Sequence, residues 1–300
     1  MIFFVKRCRA ALLLTAFALL LGGCSMVRIG YDYIDRFAAW MAVDYFDLEA
    51  DQRDAFDKHF ARIYAWHRRH ELPDYAVLFS ETQKRIRRGL TADDVHWLIN
   101  SAKLRYARLG RQAAPDVAVM LATLSDAQID HFFKAIEKDN EKFLRDYRSR
   151  DSEQARRAAQ RKRALSQIED WTGSLTGRQE ERVTALLLKT PLADRLRHED
   201  RLRRQREFRA LIAHRKEPRE AFTRRVQNWL VNWESGRTPE AERLINESWQ
   251  KRAEFLAEVD KLLTAEQRRH AIDRLQQFID DFRQLSGKSP AGSAAPVKAG

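Results

Sequence analysis

Between Tyr31 and Leu285 the chain holds only five glycines (89, 110, 173, 177, 236) and five prolines (73, 115, 191, 218, 239). Tight turns draw heavily on these two residues, so a stretch this poor in them cannot be cut into many strands and hairpins. Arg, Glu, Ala, Leu and Gln, all good helix formers, fill the space, and no alternation of Val, Ile and Thr marks a strand. Apolar residues return at helical spacing instead. Ile129, Phe132, Phe133, Ile136, Phe143, Leu144 and Tyr147 share one face, and Ile272, Leu275, Phe278, Ile279, Phe282 and Leu285 share another. The reading is all-α: an elongated multi-helix bundle over residues 31–285, with two tandem halves of three to four helices, 31–165 and 166–285, as its candidate subdivision. Prolines and glycines are expected at helix boundaries. Pro73 in particular predicts a helix end at Leu72, because the residue before proline is pushed out of the α region. The stretch 116–172, free of both breakers, predicts one very long helix or two parted near 148–154. After Leu285, "SGKSPAGSAAPVKAG" (286–300) is small and polar and is expected to be a disordered tail.

One five-letter word returns along this helical chain: "LEADQ" (48–52), "LSDAQ" (124–128), "LTGRQ" (175–179) and "LTAEQ" (263–267). Ser125, Thr176 and Thr264 are good N-caps, with Gln128, Gln179 and Gln267 three residues on. That is the capping box, in which the cap oxygen accepts the N3 amide and the N3 side chain reaches back to the cap amide. "LTADDV" (90–95) offers Asp94 in the same place, and "RTPEAE" (237–242) puts Pro239 at N1, where its missing N–H costs nothing. These words therefore predict helix starts. Their spacing, three per half with the halves offset, also suggests an internal duplication.

The N-terminus adds an address. Lys6, Arg7 and Arg9 form a basic patch, Ala10 to Leu21 an apolar run, and Gly22 and Gly23 precede Cys24. A basic patch, a short apolar segment and small residues describe a secretory signal. The apolar run rises only about 18 Å as a helix, short of the roughly 30 Å hydrocarbon core. "LGGC" resembles the lipobox of bacterial lipoproteins. That resemblance implies a signal peptide over 1–23, a lipid on Cys24, a linker over 24–30, and, with Ser25 rather than Asp after the cysteine, sorting to the periplasmic face of the outer membrane.

The chain has two cysteines, and Cys8 falls in the signal, so no internal disulfide or thiol nucleophile is expected after processing. The formal charge is +12, and +9 without Lys6, Arg7 and Arg9. Export argues against nucleic acid as the partner of that charge. Anionic lipid headgroups or envelope polymers suit it better. Two basic segments, 148–163 and 195–216, are read as solvated helix faces, with Arg203 and Arg204 as candidate contacts to a membrane surface or an acidic partner.

The densest polar-aromatic cluster is "WHRRHELPDY" (66–75). His67, His70 and Glu71 share a helix face, yet their spacing is not that of a zinc helix, and no metal or cofactor is expected. His and Arg before Pro73 fit a helix C-terminus. Trp66, His67, Arg68, His70, Glu71 and Tyr75 are nonetheless candidate partner-binding residues. No G-x-S-x-G elbow, phosphate loop or isolated carboxylate pair is present, so no catalytic residue is assigned.

Two resemblances complete the picture. The repeated word resembles the LTxxQ signature of the Spy/CpxP-like periplasmic chaperones, which implies a helical cradle for unfolded or envelope proteins. The order of "YDYIDRFAAWMAVDYFDLEADQR" (31–53), "AWHRRHELPDYAVL" (65–78), "LATLSDAQIDHFFKAIEKDNEKFLRDY" (121–147) and "IEDWTGSLTGRQ" (168–179) resembles a proteobacterial lipoprotein family known only as a domain of unknown function. The expected function is a non-enzymatic, lipid-anchored interaction or chaperone-like module. The alternatives are an enzyme acting on an envelope polymer, with His67 or His70 and Glu71 as acid and base, or a basic spacer on an anionic membrane surface.

Overall fold

A computed structural model describes residues 26–148 and 152–287. Among the described residues there are eleven helices and no strand, which bears out the all-α reading. They are α1 (Met26–Asp32), α2 (Ile34–Phe46), α3 (Ala50–Arg87), α4 (Ala92–Ala122), α5 (Asp126–Arg148), α6 (Glu153–Thr172), α7 (Gly177–Leu187), α8 (Asp194–Ile212), α9 (Arg219–Val231), α10 (Pro239–Leu262) and α11 (Ala265–Gly287). Residues 1–25, which hold the expected signal segment and Cys24, and residues 288–300 lie outside the described residues. No described helix is long and apolar enough to cross a membrane.

The 38-residue α3 is the spine. α11 lies along one side of it and α4 returns along another, while α9 packs on α4. An aromatic ladder closes the α3–α11 seam: Tyr75 stands 5.7 Å from Phe282, and Phe79 stands 5.7 Å from Phe278 and 5.4 Å from Phe282. The buried Arg68 ties the far end of that seam, donating from Nη2 to the Leu285 carbonyl at 2.8 Å. The stretches 31–165 and 166–285 therefore interleave, since the apolar face of α11 finds its cover on α3. What repeats is a plan rather than a separate bundle. α2 packs on α3 and α5, and α6 packs in the same way on α7 and α11.

Several expected boundaries move. Pro73 and Pro115 lie inside α3 and α4 and do not end them. Pro73 leaves the Arg69 carbonyl without its helical donor. The turn is held by its surroundings: Leu72 and Glu71 beside it are 1% and 0% exposed. Gly110 is likewise inside α4, where a Cβ would meet Leu230 Cβ of α9 at 3.2 Å. Its lack of a side chain is what lets those two helices approach. The stretch expected as a linker, 24–30, is helical from Met26, pinned by Arg28 Nε to Asp281 on α11 at 3.1 Å. α11 runs on through Gly287, two residues into the expected tail. The breaker-free stretch 116–172 resolves into the end of α4 and two further helices, with Ser152 capping α6 through the Ala155 amide at 3.1 Å.

Candidate functional site

The repeated word organises the site. Its capping role holds: Ser125, Thr176 and Thr264 accept the amides of Gln128, Gln179 and Gln267 at 3.2, 3.3 and 3.2 Å. Each glutamine Oε1 accepts its own cap amide in return; Gln52 Oε1 accepts the Glu49 amide at 2.9 Å. The glutamines also do something that capping does not require. They pair across the fold, Gln52 with Gln128 and Gln179 with Gln267, all four buried. Each Nε2 donates to a main-chain carbonyl just ahead of its partner's word. Gln52 reaches Thr123 at 3.1 Å and Gln128 reaches Asp47 at 2.9 Å. Gln179 reaches Leu262 and Gln267 reaches Ser174, both at 2.8 Å. Glutamate would serve the cap equally well, but only the amide carries the two donors that this lock uses. The chain thus builds one lock from α2–α3 against α4–α5, and a second from α6–α7 against α10–α11.

Beside the first lock lies an apolar cavity of about 630 Å³. Leu48 and Leu124, the first letters of the two locked words, line it together with Leu121. Its walls are aromatic: Phe46 stacks on Phe132 at 4.4 Å, Phe132 meets Phe208 at 5.1 Å, and Phe208 meets Trp229 at 5.2 Å. Phe56, Phe60 and Ile63 of α3, Met120 of α4 and Ile136 of α5 also line it. Charged residues of both signs also border it. Asp116 holds His59 Nδ1 at 2.7 Å and Arg62 Nε at 3.1 Å. Arg201 is exposed, and Arg204 donates to the Trp229 carbonyl at 2.7 Å and to Glu207 at 2.8 Å. Burial pushes the Arg204 pKa down, and Glu207 opposes that shift. Gln205 and Asn140 exchange two amide hydrogen bonds at 2.8 and 3.2 Å beside it. The indole N–H of Trp229 is buried with no acceptor among the described residues.

A second cavity, of about 620 Å³, stands in the matching place of the other lock. The register of the two is the same. Val117, Met120, Leu121, Leu124 and Phe132 line the first; Leu256, Val259, Asp260, Leu263 and Ala271 line the second, each as far along the chain from its counterpart as Gln267 is from Gln128.

The residues singled out from sequence lie elsewhere, and neither large cavity is lined by any of Trp66 to Tyr75. They sit in mid-helix, not at the helix end expected from Pro73. Arg68 serves the α11 terminus, as described. His67 is half-buried, with Nδ1 at 2.8 Å from the Tyr31 hydroxyl and its ring 5.6 Å from that of Tyr75. His70 is exposed, and its ring stands 5.6 Å from that of Trp66. Glu71 points the other way, to Arg108 Nε at 3.2 Å and Arg105 Nη1 at 3.6 Å on α4. Asp74 shares both arginines; burial raises its carboxyl, but they outweigh that and hold it low. No group of three His, Cys, Asp or Glu able to hold a metal occurs among the described residues. Arg203, expected on a solvated face, turns inward. It donates to the carbonyls of Trp233 at 2.8 Å and Ser235 at 2.6 Å and to Asp200 at 2.9 Å, clamping α8 to the loop before α10. Arg204 is the only one of these residues that touches the cavity.

His67 makes a pH prediction. Burial lowers its pKa from about 6.5, so the native chain keeps it neutral while the unfolded chain takes up a proton. Its stability contribution is whole above pH 6.5 and is lost as pH falls through the lowered folded value. Tyr31, Arg68 and Tyr75 around it do not titrate there. His67→Gln should therefore flatten the fall in denaturation midpoint between pH 7 and pH 5. An unchanged slope would put the acid sensitivity elsewhere.

The cavity residues escaped sequence reading because a cavity wall repeats with the same period as a core. The one available signal was the choice of Gln over Glu in all four words.

Comparison with known proteins places this architecture. No curated protein and no solved structure matches the chain, and the likeness of the repeated word to the Spy/CpxP-like chaperones finds no counterpart there. A family model does match, over residues 44–240. That span runs from the end of α2 to the start of α10 and takes in the first lock and every lining residue of the first cavity except Ala42. The chain belongs to the family of unknown function DUF6279.

Proposed function

We propose that this chain is a lipid-anchored binding protein of the bacterial envelope, held at the periplasmic face of the outer membrane through Cys24. It works without catalysis, by holding an apolar segment of a protein client in the cavity between α2, α3, α4, α5, α8 and α9. The observation that carries the reading is that cavity: about 630 Å³, apolar in floor and wall, and open to solvent. Its size lies within the range of ligand pockets. The bordering charges of both signs favour a polypeptide: a lone anionic head would meet Asp116, whereas a peptide brings both donors and acceptors. Ile136→Trp should fill the cavity from α5. The unlipidated processed chain (residues 24–300 with Cys24→Ser) at stoichiometric ratio should suppress light scattering by α-lactalbumin aggregating after reduction. Ile136→Trp should abolish most of that suppression without lowering the melting temperature. Equal suppression by both chains would move the binding surface away from the cavity, and none with several unrelated clients would end the client-binding reading.

A further inference from the structure

The largest run of uncovered aromatic surface lies at the N-terminal end of the described chain. Tyr33, the residue between α1 and α2, is 55% exposed, and Phe37 and Trp40 of α2 are 57% and 60% exposed, with Ile29, Ile34 and Met41 exposed beside them. Successive spacings of four and three place Tyr33, Phe37 and Trp40 on one helical face. The rings touch each other, Phe37 and Trp40 at 5.8 Å, and the Arg36 guanidinium lies 5.2 Å over Tyr33. The opposite side of α2 is used inside the fold: Ala42, Val43 and Phe46 pack on the main core. Contiguous exposed apolar surface of this kind marks an interaction site.

We infer that this face lies in the headgroup layer of a membrane, seating the body of the protein on the bilayer. The statement rests on the envelope reading above for its setting. Three observations select lipid as the occupant. First, the chain outside the described residues ends immediately before α1, and Cys24 stands two residues before Met26. At 1.5 Å per helical residue, Phe37 lies about 17 Å from the start of α1, so a lipid on Cys24 holds the face within a few nanometres of the surface at most. Second, Tyr and Trp, with apolar bodies and polar tips, are the side chains that partition to the membrane–water interface, and Arg36 can extend its charge back to water. Third, a second copy is a poor cover. One face of a 13-residue helix offers roughly 20 by 10 Å, about 200 Å² per partner, where a stable interface needs about 800 Å². The exposed Asp35 and Asp44 of α2 add no attraction for anionic lipid, so contact should be driven by the rings, not by charge.

The test uses the processed chain from residue 24 carrying Cys24→Ser, which has neither the apolar run of 10–21 nor an acylation site, sedimented with phosphatidylcholine vesicles and with vesicles of three parts phosphatidylcholine to one part phosphatidylglycerol. Partition into both is expected, and Phe37→Ser/Trp40→Ser should lower it on the order of tenfold or more. Leu104→Ser, at a residue 70% exposed on α4, should leave it unchanged. The substituted side chains are exposed, so helicity by circular dichroism should stay constant. No partition by the Cys24→Ser chain, or equal partition by the double variant, would overturn the inference. So would a loss of self-association in the double variant at constant partition, which would assign the face to a second copy. Binding that needs phosphatidylglycerol would overturn it too, in favour of the basic surface. Labelling of the wild-type chain with a fatty-acid analogue separates the two claims. An unlabelled wild type removes the lipid anchor and leaves the aromatic-face result standing, while a labelled wild type with no vesicle binding by Cys24→Ser does the reverse.

Discussion

Gln128→Glu should destabilise the folded chain by about 3–5 kcal/mol, several times the cost of losing the cap beside it. The carboxylate still accepts the Ser125 amide, so the capping box survives. What disappears is the amide's pair of donors. The Asp47 carbonyl loses its 2.9 Å bond, and Gln52 Oε1 is left with only the Glu49 amide as donor. One buried acceptor is stranded, at about 1–3 kcal/mol, a second loses one of its two donors, and a charge is placed between them. Ser125→Ala, which removes only the cap hydroxyl, should cost about 1 kcal/mol. Chemical denaturation of the two variants compares them directly. A Gln52→Leu/Gln128→Leu double-mutant cycle should show a coupling energy of about 0.5–3 kcal/mol, because each single variant orphans the other side chain. Additive losses, or a Gln128→Glu cost no larger than that of Ser125→Ala, would reduce the four words to helix caps.

The second large effect is asymmetric. Glu71 has no exposure, and neither of its oxygens has a hydrogen-bond partner among the described residues; it is balanced by the charges of Arg105 and Arg108. Arg105→Leu/Arg108→Leu strands that carboxylate in the α3–α4 seam and should cost about 3–5 kcal/mol. Glu71→Leu should be near neutral or stabilising, because a well-packed apolar side chain often replaces a buried ion at no loss. The arginines then keep Asp74, which holds Arg108 Nη1 at 2.8 Å. Equal costs from the two substitutions would mean that packing, not charge balance, sets the seam.

The helices were legible because two local signals agree: apolar residues at helical period, and a cap word at the start of α5, α7 and α11. The length of α3 was not. The rule for Pro73 is local, whereas the continuity of α3 is tertiary, enforced by α4 and α11 covering Glu71 and Leu72. The arginine-rich helix α8 was legible as a helix but not in its orientation. Arg203 and Arg204 look like a solvated charge run until the carbonyls of Trp229, Trp233 and Ser235 come within reach. The locks needed both halves of each pair in view. A glutamine three residues after a cap satisfies the local rule on its own, and its free amide shows its purpose only when the partner word arrives. The cavity was hidden by the same logic. Phe56, Phe60 and Ile63 recur as core residues do, and the gap before them depends on how six helices meet.

The binding claim is tested most directly by photo-crosslinking from inside the cavity. A photoreactive amino acid at Met120, which lines it, is compared with one at Leu188, an apolar residue 64% exposed just after α7. With reduced α-lactalbumin as the client, illumination should give a crosslinked product from position 120 and little from position 188, and Ile136→Trp should remove it. Crosslinking of equal yield from both positions, or a yield at 120 indifferent to Ile136→Trp, would contradict the cavity as the binding site.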